Sequence, residues 1–406
     1  MESIALKPFL ISLSVTDRCD LSCPHCFMEA KLRSEDLPFS EMERILRNLA
    51  VFNSQAMLII TGGEPLLRED IDSIVALASD LGFITVLGTS GRFLTLEKAE
   101  ILKVNGLKGI SVSVDSVNPN FHDNFRGSPG LWKRAIEALK IAKAVGIETQ
   151  MNVTLTDQNA DQLEDFVKLG LDLGVKAVNF FFIVCTGRAA KSFIKVNTYG
   201  DLLKRLQEIS LKESRIFVRA RCAPHLYRFF PEKKLTVGGG MKGCPAGRHY
   251  VRIDSFGNVY PCPYLPISVG SIRNTPFKEI WESSPVLEQL RKNTYGGKCG
   301  LCRYRQLCGG CRARAFSTFG DIMAEDPLCD YEPQGKEDIL VLEEKERTSF
   351  KLEWTKEAKE RMESIPLFIR GIVISIVEQK AREEGIRKIT PDFLKRIRRS
   401  FNEENS

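Results

Sequence analysis

No stretch of 18 apolar residues occurs in this chain of 406. The longest apolar run, Ile365–Val377, is broken by Pro366, Arg370 and Gly371, which excludes a membrane span and fits a soluble helix. Met1–Leu10 contains a proline and charge but no long apolar core, so no secretory signal is read there. Both absences point to the cytoplasm. Charge of one sign is also scarce: 58 Lys and Arg against 52 Asp and Glu leave +6. With no basic stripe interleaved with aromatics, a nucleic-acid partner is excluded. No fixed-period repeat is found. What remains, 43% hydrophobic and 27% charged, is ordinary globular composition, and the length predicts two or three units.

Cysteine, by contrast, is plentiful. Twelve in a reducing compartment read as metal ligands or redox groups before disulfides. They cluster. Cys19, Cys23 and Cys26 form C-x3-C-x2-C; Cys244 and Cys262 flank Gly257; Cys299, Cys302, Cys308 and Cys311 form C-x2-C-x5-C-x2-C, and Cys329 follows. Cys185 and Cys222 stand alone.

Residues 9–186 alternate apolar runs with amphipathic stretches. Strands are read at Phe9–Val15, Ala56–Ile60, Ile84–Leu87, Gly109–Val114, Glu148–Leu155 and Ala177–Val184, with helices at Ser40–Val51, Ile71–Leu81, Leu96–Val104, Leu131–Val145 and Ala160–Leu173. This alternation predicts an α/β fold with a parallel sheet, a partial (β/α)6 TIM-like barrel whose chemistry lies at the C-terminal strand ends. The first Cys triplet, Gly62-Gly63-Glu64-Pro65, Thr89 and Asp115 all fall at such ends. Residues 1–215 are read as this core and 216–335 as a Cys-rich domain with a hairpin turning at Ser255–Asn258. A charged linker spans 336–350 and a helical domain 351–406, with helices at Glu353–Ser364, Pro366–Glu384 and Pro391–Ser400, the last capped by Thr390.

Three cysteines on one loop suit a 4Fe–4S cluster with one iron left open for chemistry. A four-ligand zinc site is the alternative, with His25 as the fourth ligand, although His25 is adjacent to Cys26.

C-x3-C-x2-C after the first strand, with the ring of His25 before the last Cys and Gly62-Gly63-Glu64-Pro65 after the second strand, resembles the radical S-adenosylmethionine (SAM) superfamily. The resemblance covers roughly residues 9–215. It implies that Cys19, Cys23 and Cys26 hold a cluster whose open iron binds S-adenosyl-L-methionine, and that cleavage of this cofactor gives a 5′-deoxyadenosyl radical. It also implies an electron donor such as ferredoxin or flavodoxin. Gly62 and Gly63 are read as a close backbone approach to the cofactor amine, Glu64 as its counter-charge, and Ser113 and Arg126 as holding its carboxylate. His25, Thr89 and Asn152 complete the expected cofactor contacts.

Cys244, Gly257, Cys262, then Cys299, Cys302, Cys308, Cys311 and Cys329, resemble the SPASM extension, which carries auxiliary 4Fe–4S clusters. The spacing between Cys308 and Cys311 is x2 where x3 is commoner. Carried over, Cys244, Cys262 and Cys311 hold the first auxiliary cluster, and Cys299, Cys302, Cys308 and Cys329 the second. Where some relatives have a fourth ligand of the first cluster, this chain has Tyr250. Cys222, His249 or an open iron are the alternatives. Two zinc sites are the competing reading of the region.

Trp354-Thr355 to Ile389-Thr390 resembles the small C-terminal domain of light-independent protochlorophyllide reductase; a plain helical cap or dimerisation module is the alternative. The Cys-rich segments look most like the branch acting on haem and haem d1 precursors. The implied activity is a radical SAM oxidoreductase that oxidatively decarboxylates or trims a tetrapyrrole side chain, with Arg188, Arg312 and Arg314 as candidate propionate partners. A maturase of a ribosomal peptide is the first alternative, although only about eight residues precede the first strand. An iron–sulfur electron carrier or zinc scaffold is the second.

Overall fold

Strands β1 (Leu10–Ser14), β2 (Met57–Thr61), β3 (Ile84–Thr89), β4 (Gly109–Ser113), β5 (Glu148–Leu155), β6 (Ala177–Phe182) and β7 (Phe217–Arg221) pair in chain order, all parallel. The computed structural model describes residues 7–28, 35–190, 199–230, 243–340, 350–363 and 367–403. Helices α1 (Phe39–Asn53), α2 (Ile71–Asp80), α3 (Leu96–Val104), α4 (Pro119–Arg126), α5 (Leu131–Ala144), α6 (Leu163–Leu173) and α7 (Tyr199–Lys212) connect them. Each crossover returns the chain to the same end of the sheet, as parallel pairing requires. This is the α/β partial barrel expected. The six strands read from sequence are present to within two residues at each end, and β7 is an addition.

Period two decides which side each strand residue faces. Ile11, Leu13, Leu58, Ile60, Ile110, Val112, Met151, Val153, Val178 and Phe180 are buried in one core with helix residues such as Leu46, Ile74, Leu139 and Phe166. Their neighbours in sequence, among them Ser12, Thr61, Ser111, Ser113, Gln150, Asn152 and Asn179, face the barrel interior. An apolar outer face and a polar inner face are thus written into the same strands.

The Cys-rich part does not stand off from this sheet. Strand β8 (Tyr250–Ile253) pairs parallel with β1, and β9 (Asn258–Tyr260) and β10 (Gly270–Ser271) extend it to ten strands. The expected hairpin is present. The Asp254 carboxylate forms its turn by accepting from the backbone N–H of Phe256 at 2.9 Å and of Asn258 at 2.8 Å. Beyond it come α8 (Phe277–Ser283), α9 (Pro285–Arg291), α10 (Gly297–Leu301) and α11 (Arg312–Phe319).

The C-terminal part packs on itself. Glu353–Trp354 (β11) pairs with Lys388–Ile389 (β12), and α12 (Lys356–Glu363), α13 (Leu367–Glu383) and α14 (Pro391–Glu403) surround a core of Trp354, Ala358, Met362, Ile374, Val377, Ile389 and Phe393. Glu353 and Trp354 are therefore strand where a helix was read. Thr390 caps α14 as expected, accepting from Phe393 N–H at 3.3 Å. Ile365 and Pro366 lie outside the described residues. Among the described residues no helix is long and apolar enough to cross a membrane.

Candidate active site

The loop after β1 carries the first three cysteines. Cys19, Cys23 and Cys26 gather with Leu21 and Leu131 in one small buried cluster. Burial pushes the Cys19 thiol up to about 12, and Cys23 is raised by the same cause. Thiols so placed ionise only against a bound cation, which is how a metal centre would meet them.

The glycine motif fits against this loop. Gly62 has φ +151, and a Cβ there would sit 2.3 Å from the Thr16 carbonyl oxygen; at Gly63 it would sit 2.1 Å from that of Arg18. Gly63 N–H donates to Thr16 O at 2.8 Å and Glu64 N–H to Arg18 O at 2.7 Å. The two glycines are needed first for contact with the backbone leading to Cys19. The close approach expected at this motif is thus made to protein backbone.

Glu64 is buried, and its carboxylate is fully used. Oε1 accepts from Thr89 Oγ1 at 2.7 Å and Leu66 N at 3.2 Å; Oε2 accepts from Ser90 N at 2.8 Å and Ser90 Oγ at 2.6 Å. Four donors fill the four lone-pair directions of a carboxylate. Glu64 therefore clamps the ends of β2 and β3 together. Thr89 is likewise occupied, since its oxygen also accepts from Gly91 N–H at 3.0 Å.

Arg126 ends α4 and is buried with Asp115 at the end of β4. Its Nε donates to Asp115 Oδ2 at 2.6 Å, and its Nη1 points at Cys23 Sγ at 3.9 Å. Burial would raise Asp115, but Arg126 outweighs it and holds the carboxyl at about 2. Arg126 is thus a fixed cation beside a cluster thiol. His25 lies face to face with Phe125, ring centroids 4.8 Å apart, and burial lowers it to about 4, so it is a neutral ring. Ser113 and Asn152 are register partners on β4 and β5, both on the inner face.

Arg188 donates from Nε to Cys23 O at 2.8 Å and from its backbone N–H to Cys26 O at 2.9 Å. It braces the cysteine loop. Arg314 holds Asp326 with Nε at 2.7 Å and Nη2 at 3.0 Å, and Arg312 donates to Ile322 O and Ala324 O. All three arginines named as candidate propionate partners make hydrogen bonds within the protein, and Arg312 keeps a buried Nη2 without a partner among the described residues.

Two further groups of thiols form in the Cys-rich part. Cys299, Cys302, Cys308 and Cys329 line one small pocket together with Arg228 and Lys298. Cys244 and Cys311 share a hydrogen bond, Cys262 lies within their electrostatic reach, and Cys222 within that of Cys262 and Cys311. Of the sequence alternatives, Cys222 lies near this group of thiols. Arg314 fixes Cys222 by donating to its carbonyl at 2.9 Å, while Asp326, the partner of Arg314, accepts from Cys311 N–H at 2.7 Å. Cys222 was set apart by sequence spacing. The signal that finds it is its place directly after β7, facing the hairpin that β8 adds.

All twelve cysteines are free thiols. Buried thiols in groups of three or four, with Arg126, Arg228 and Lys298 beside two of the groups, fit iron–sulfur clusters.

Comparison with known proteins defines the class. Residues 13–170 match the Radical SAM superfamily, 244–312 the iron–sulfur cluster-binding (SPASM) domain, and 354–398 the proto-chlorophyllide reductase 57 kD subunit. The chain belongs to the radical SAM superfamily and is an enzyme with a 4Fe–4S cluster, S-adenosyl-L-methionine and auxiliary iron–sulfur clusters as its cofactors. It is 36% identical over 351 residues to the AdoMet-dependent heme synthase of Methanosarcina barkeri, covering 83% of this chain and 100% of that one. It is 30% identical over 360 residues to the pre-heme d1 synthase of Dinoroseobacter shibae, covering 80% and 86%. In fold it is similar to Streptococcus suis SuiB bound to its precursor peptide SuiA, with TM-score 0.67, 20% identity, and 80% and 76% of the chains covered.

Proposed function

We propose that this protein oxidatively removes or trims a carboxylate-bearing side chain of a tetrapyrrole, a haem precursor. The observation that carries the reading is the 36% identity across the whole length of a heme synthase. Likeness to the peptide-bound structure, at 20% identity, concerns the fold alone. The peptide-maturase alternative rests on more distant relatives, at 27% identity.

Cys19, Cys23 and Cys26 are the proposed ligands of the cofactor-binding cluster. When bound, that cluster supplies the electron that splits S-adenosyl-L-methionine. Arg126 balances thiolate charge and holds Asp115, and the Glu64 clamp and Gly62-Gly63 contact fix the cysteine loop. Ser113 and Asn152 face the cofactor from the inner wall, and His25 packs beside it. The barrel interior excludes water from the reacting side chain. Cys299, Cys302, Cys308 and Cys329 are proposed for one auxiliary cluster, and Cys244, Cys262 and Cys311 with Cys222 as fourth ligand for the other. Loss of carbon dioxide and a hydrogen atom from a propionate leaves one electron to be taken up, the chemistry an auxiliary cluster supplies when bound. A ferredoxin or flavodoxin suits the reducing side. Cysteines committed to iron–sulfur clusters suit a reducing, cytoplasmic setting. Residues 1–215, 216–335 and 351–406 serve as core, auxiliary-cluster and C-terminal units, with 336–350 linking.

Anaerobic turnover with reductant, S-adenosyl-L-methionine and iron coproporphyrin tests this against candidate peptides. The porphyrin should lose carbon dioxide and two hydrogens per propionate. A peptide product with an unchanged porphyrin would reverse the assignment.

A further inference from the structure

Arginines stand on the inner face of the barrel without acids to match them. On β6, Phe180 packs outward on Phe166 and Phe182 outward on Tyr199, so Asn179 and Phe181 point inward. Their register partners on β7 are Arg219 and Arg221. These two guanidinium groups therefore share the interior face at i, i+2. Arg221 donates to Asn179 Oδ1 from Nε at 3.3 Å and Nη2 at 3.1 Å, and Asn179 Nδ2 passes the chain on to Asn152 Oδ1 at 3.0 Å and Gln150 Oε1 at 3.1 Å.

The charges around this pair are wrong for a structural ion pair. Arg219 lies over the ring of Phe217, 4.9 Å from its centroid, Arg221 meets the amide of Asn179, and among the described residues neither forms an ion pair with a carboxylate. Burial, with Arg221 adding to it, pushes Arg219 down to about 10. Across the barrel, Arg252 on β8 pairs with inward-facing Ser12, lies over the rings of Phe27 and Tyr260, and keeps a buried Nε without a hydrogen-bond partner among the described residues. Arg126, Arg188 and Arg314 are held by Asp115, backbone carbonyls and Asp326, and Arg312 gives Nη1 to backbone carbonyls. Desolvated guanidinium groups lacking acids are stabilised by a bound anion, and their fork geometry suits a carboxylate.

Resting on the tetrapyrrole reading, we propose that Arg219 and Arg221 on β7, with Arg252 on β8, form the subsite that receives the substrate's carboxylates inside the barrel. The Arg221–Asn179–Asn152 chain places that subsite one side chain from the wall where Ser113 and Asn152 face the cofactor. A propionate held there is presented to the interior end at which the cysteine loop lies.

The test uses the full-length reconstituted enzyme and absorbance titration with two probes: iron coproporphyrin and the same porphyrin with its carboxylates converted to primary amides. Wild type should bind the carboxylate form at least about tenfold more tightly, and Arg219→Gln and Arg221→Gln should each lose about tenfold or more for it with little change for the amide. Arg221→Lys should recover part of the loss. Iron content and far-ultraviolet circular dichroism check folding; if Arg221→Gln fails to fold, Arg219→Gln carries the test. Unchanged carboxylate affinity in the folded variants overturns the subsite and leaves the tetrapyrrole reading standing. Wild type that binds neither porphyrin overturns both.

Discussion

Arg126 Nη1 points at Cys23 Sγ from 3.9 Å while its Nε holds Asp115 Oδ2 at 2.6 Å. The sequence reading gave Arg126 to the cofactor's carboxylate. The geometry gives it a second task, as the fixed counter-charge of a cluster ligand.

Removing that charge makes an electron harder to place on the first cluster, because net charge near a cluster sets its potential. Arg126→Gln should lower the midpoint potential in a redox titration followed by electron paramagnetic resonance and slow 5′-deoxyadenosine formation. It also strands Asp115, which is fully buried, at a cost of about 3–5 kcal/mol. The double variant Asp115→Asn/Arg126→Gln should recover part of the thermal stability and part of the potential, because it returns the local net charge to that of the wild-type pair.

With three 4Fe–4S clusters the reconstituted protein should hold about 12 irons, and the triple alanine variant of Cys19, Cys23 and Cys26 about 8. Gly62→Ala should resemble the triple variant, because its Cβ meets Thr16 O at 2.3 Å and displaces the cysteine loop. Gly320→Asn is the control: its φ of +71 suits Asn, and nothing lies within 4 Å of an added Cβ, so all the iron should remain. Iron analysis reads both.

Cys222→Ala should change the electron paramagnetic resonance spectrum of one auxiliary cluster and make one of its irons labile to mild oxidation, whereas Cys185→Ala should leave all spectra as they are. Identical spectra for the two variants would return Cys222 to a packing role.

Glu378 is buried in the C-terminal unit and accepts from Lys351 N at 2.6 Å, Leu352 N at 3.1 Å and Trp354 Nε1 at 3.0 Å. Glu378→Ala leaves these donors without their acceptor and should destabilise this unit by about 1–3 kcal/mol, read from Trp354 fluorescence. Ending the chain at residue 340 should leave slow, uncoupled cleavage of S-adenosyl-L-methionine intact, since no cysteine lies beyond Cys329. The same truncation, titrated with porphyrin, shows whether the unit contributes to substrate affinity.

Much of this was legible in the sequence where period and spacing carry it. Alternation of Ile11, Leu13, Ile110 and Val112 with serines marks strands with two different faces, and the cysteine spacings mark two Cys-rich regions whose division into ligand sets is what the family resemblance implies. Strand β7 was not legible: Phe217-Val218-Arg219-Ala220-Arg221 carries two cations on what proves to be an inner face, so it reads as surface. Glu64 was found, but its saturation by Thr89, Ser90 and Leu66 depends on the approach of two strand ends far apart in sequence. Arg188, Arg312 and Arg314 look free in sequence, and only the fold supplies the carbonyls and Asp326 that occupy them. Part of the apolar stripe of the C-terminal helices finds its partner within its own unit, where Phe393 packs with Trp354 and Ile389.

Isotope transfer tests the central claim most directly. Iron coproporphyrin deuterated at the propionate carbon next to the ring is supplied to the reduced enzyme with unlabelled S-adenosyl-L-methionine, and the 5′-deoxyadenosine formed is weighed by mass spectrometry. Abstraction from a tetrapyrrole side chain inside the barrel predicts one deuterium in each 5′-deoxyadenosine, matched by porphyrin that has lost carbon dioxide. Unlabelled 5′-deoxyadenosine beside unchanged porphyrin would contradict it.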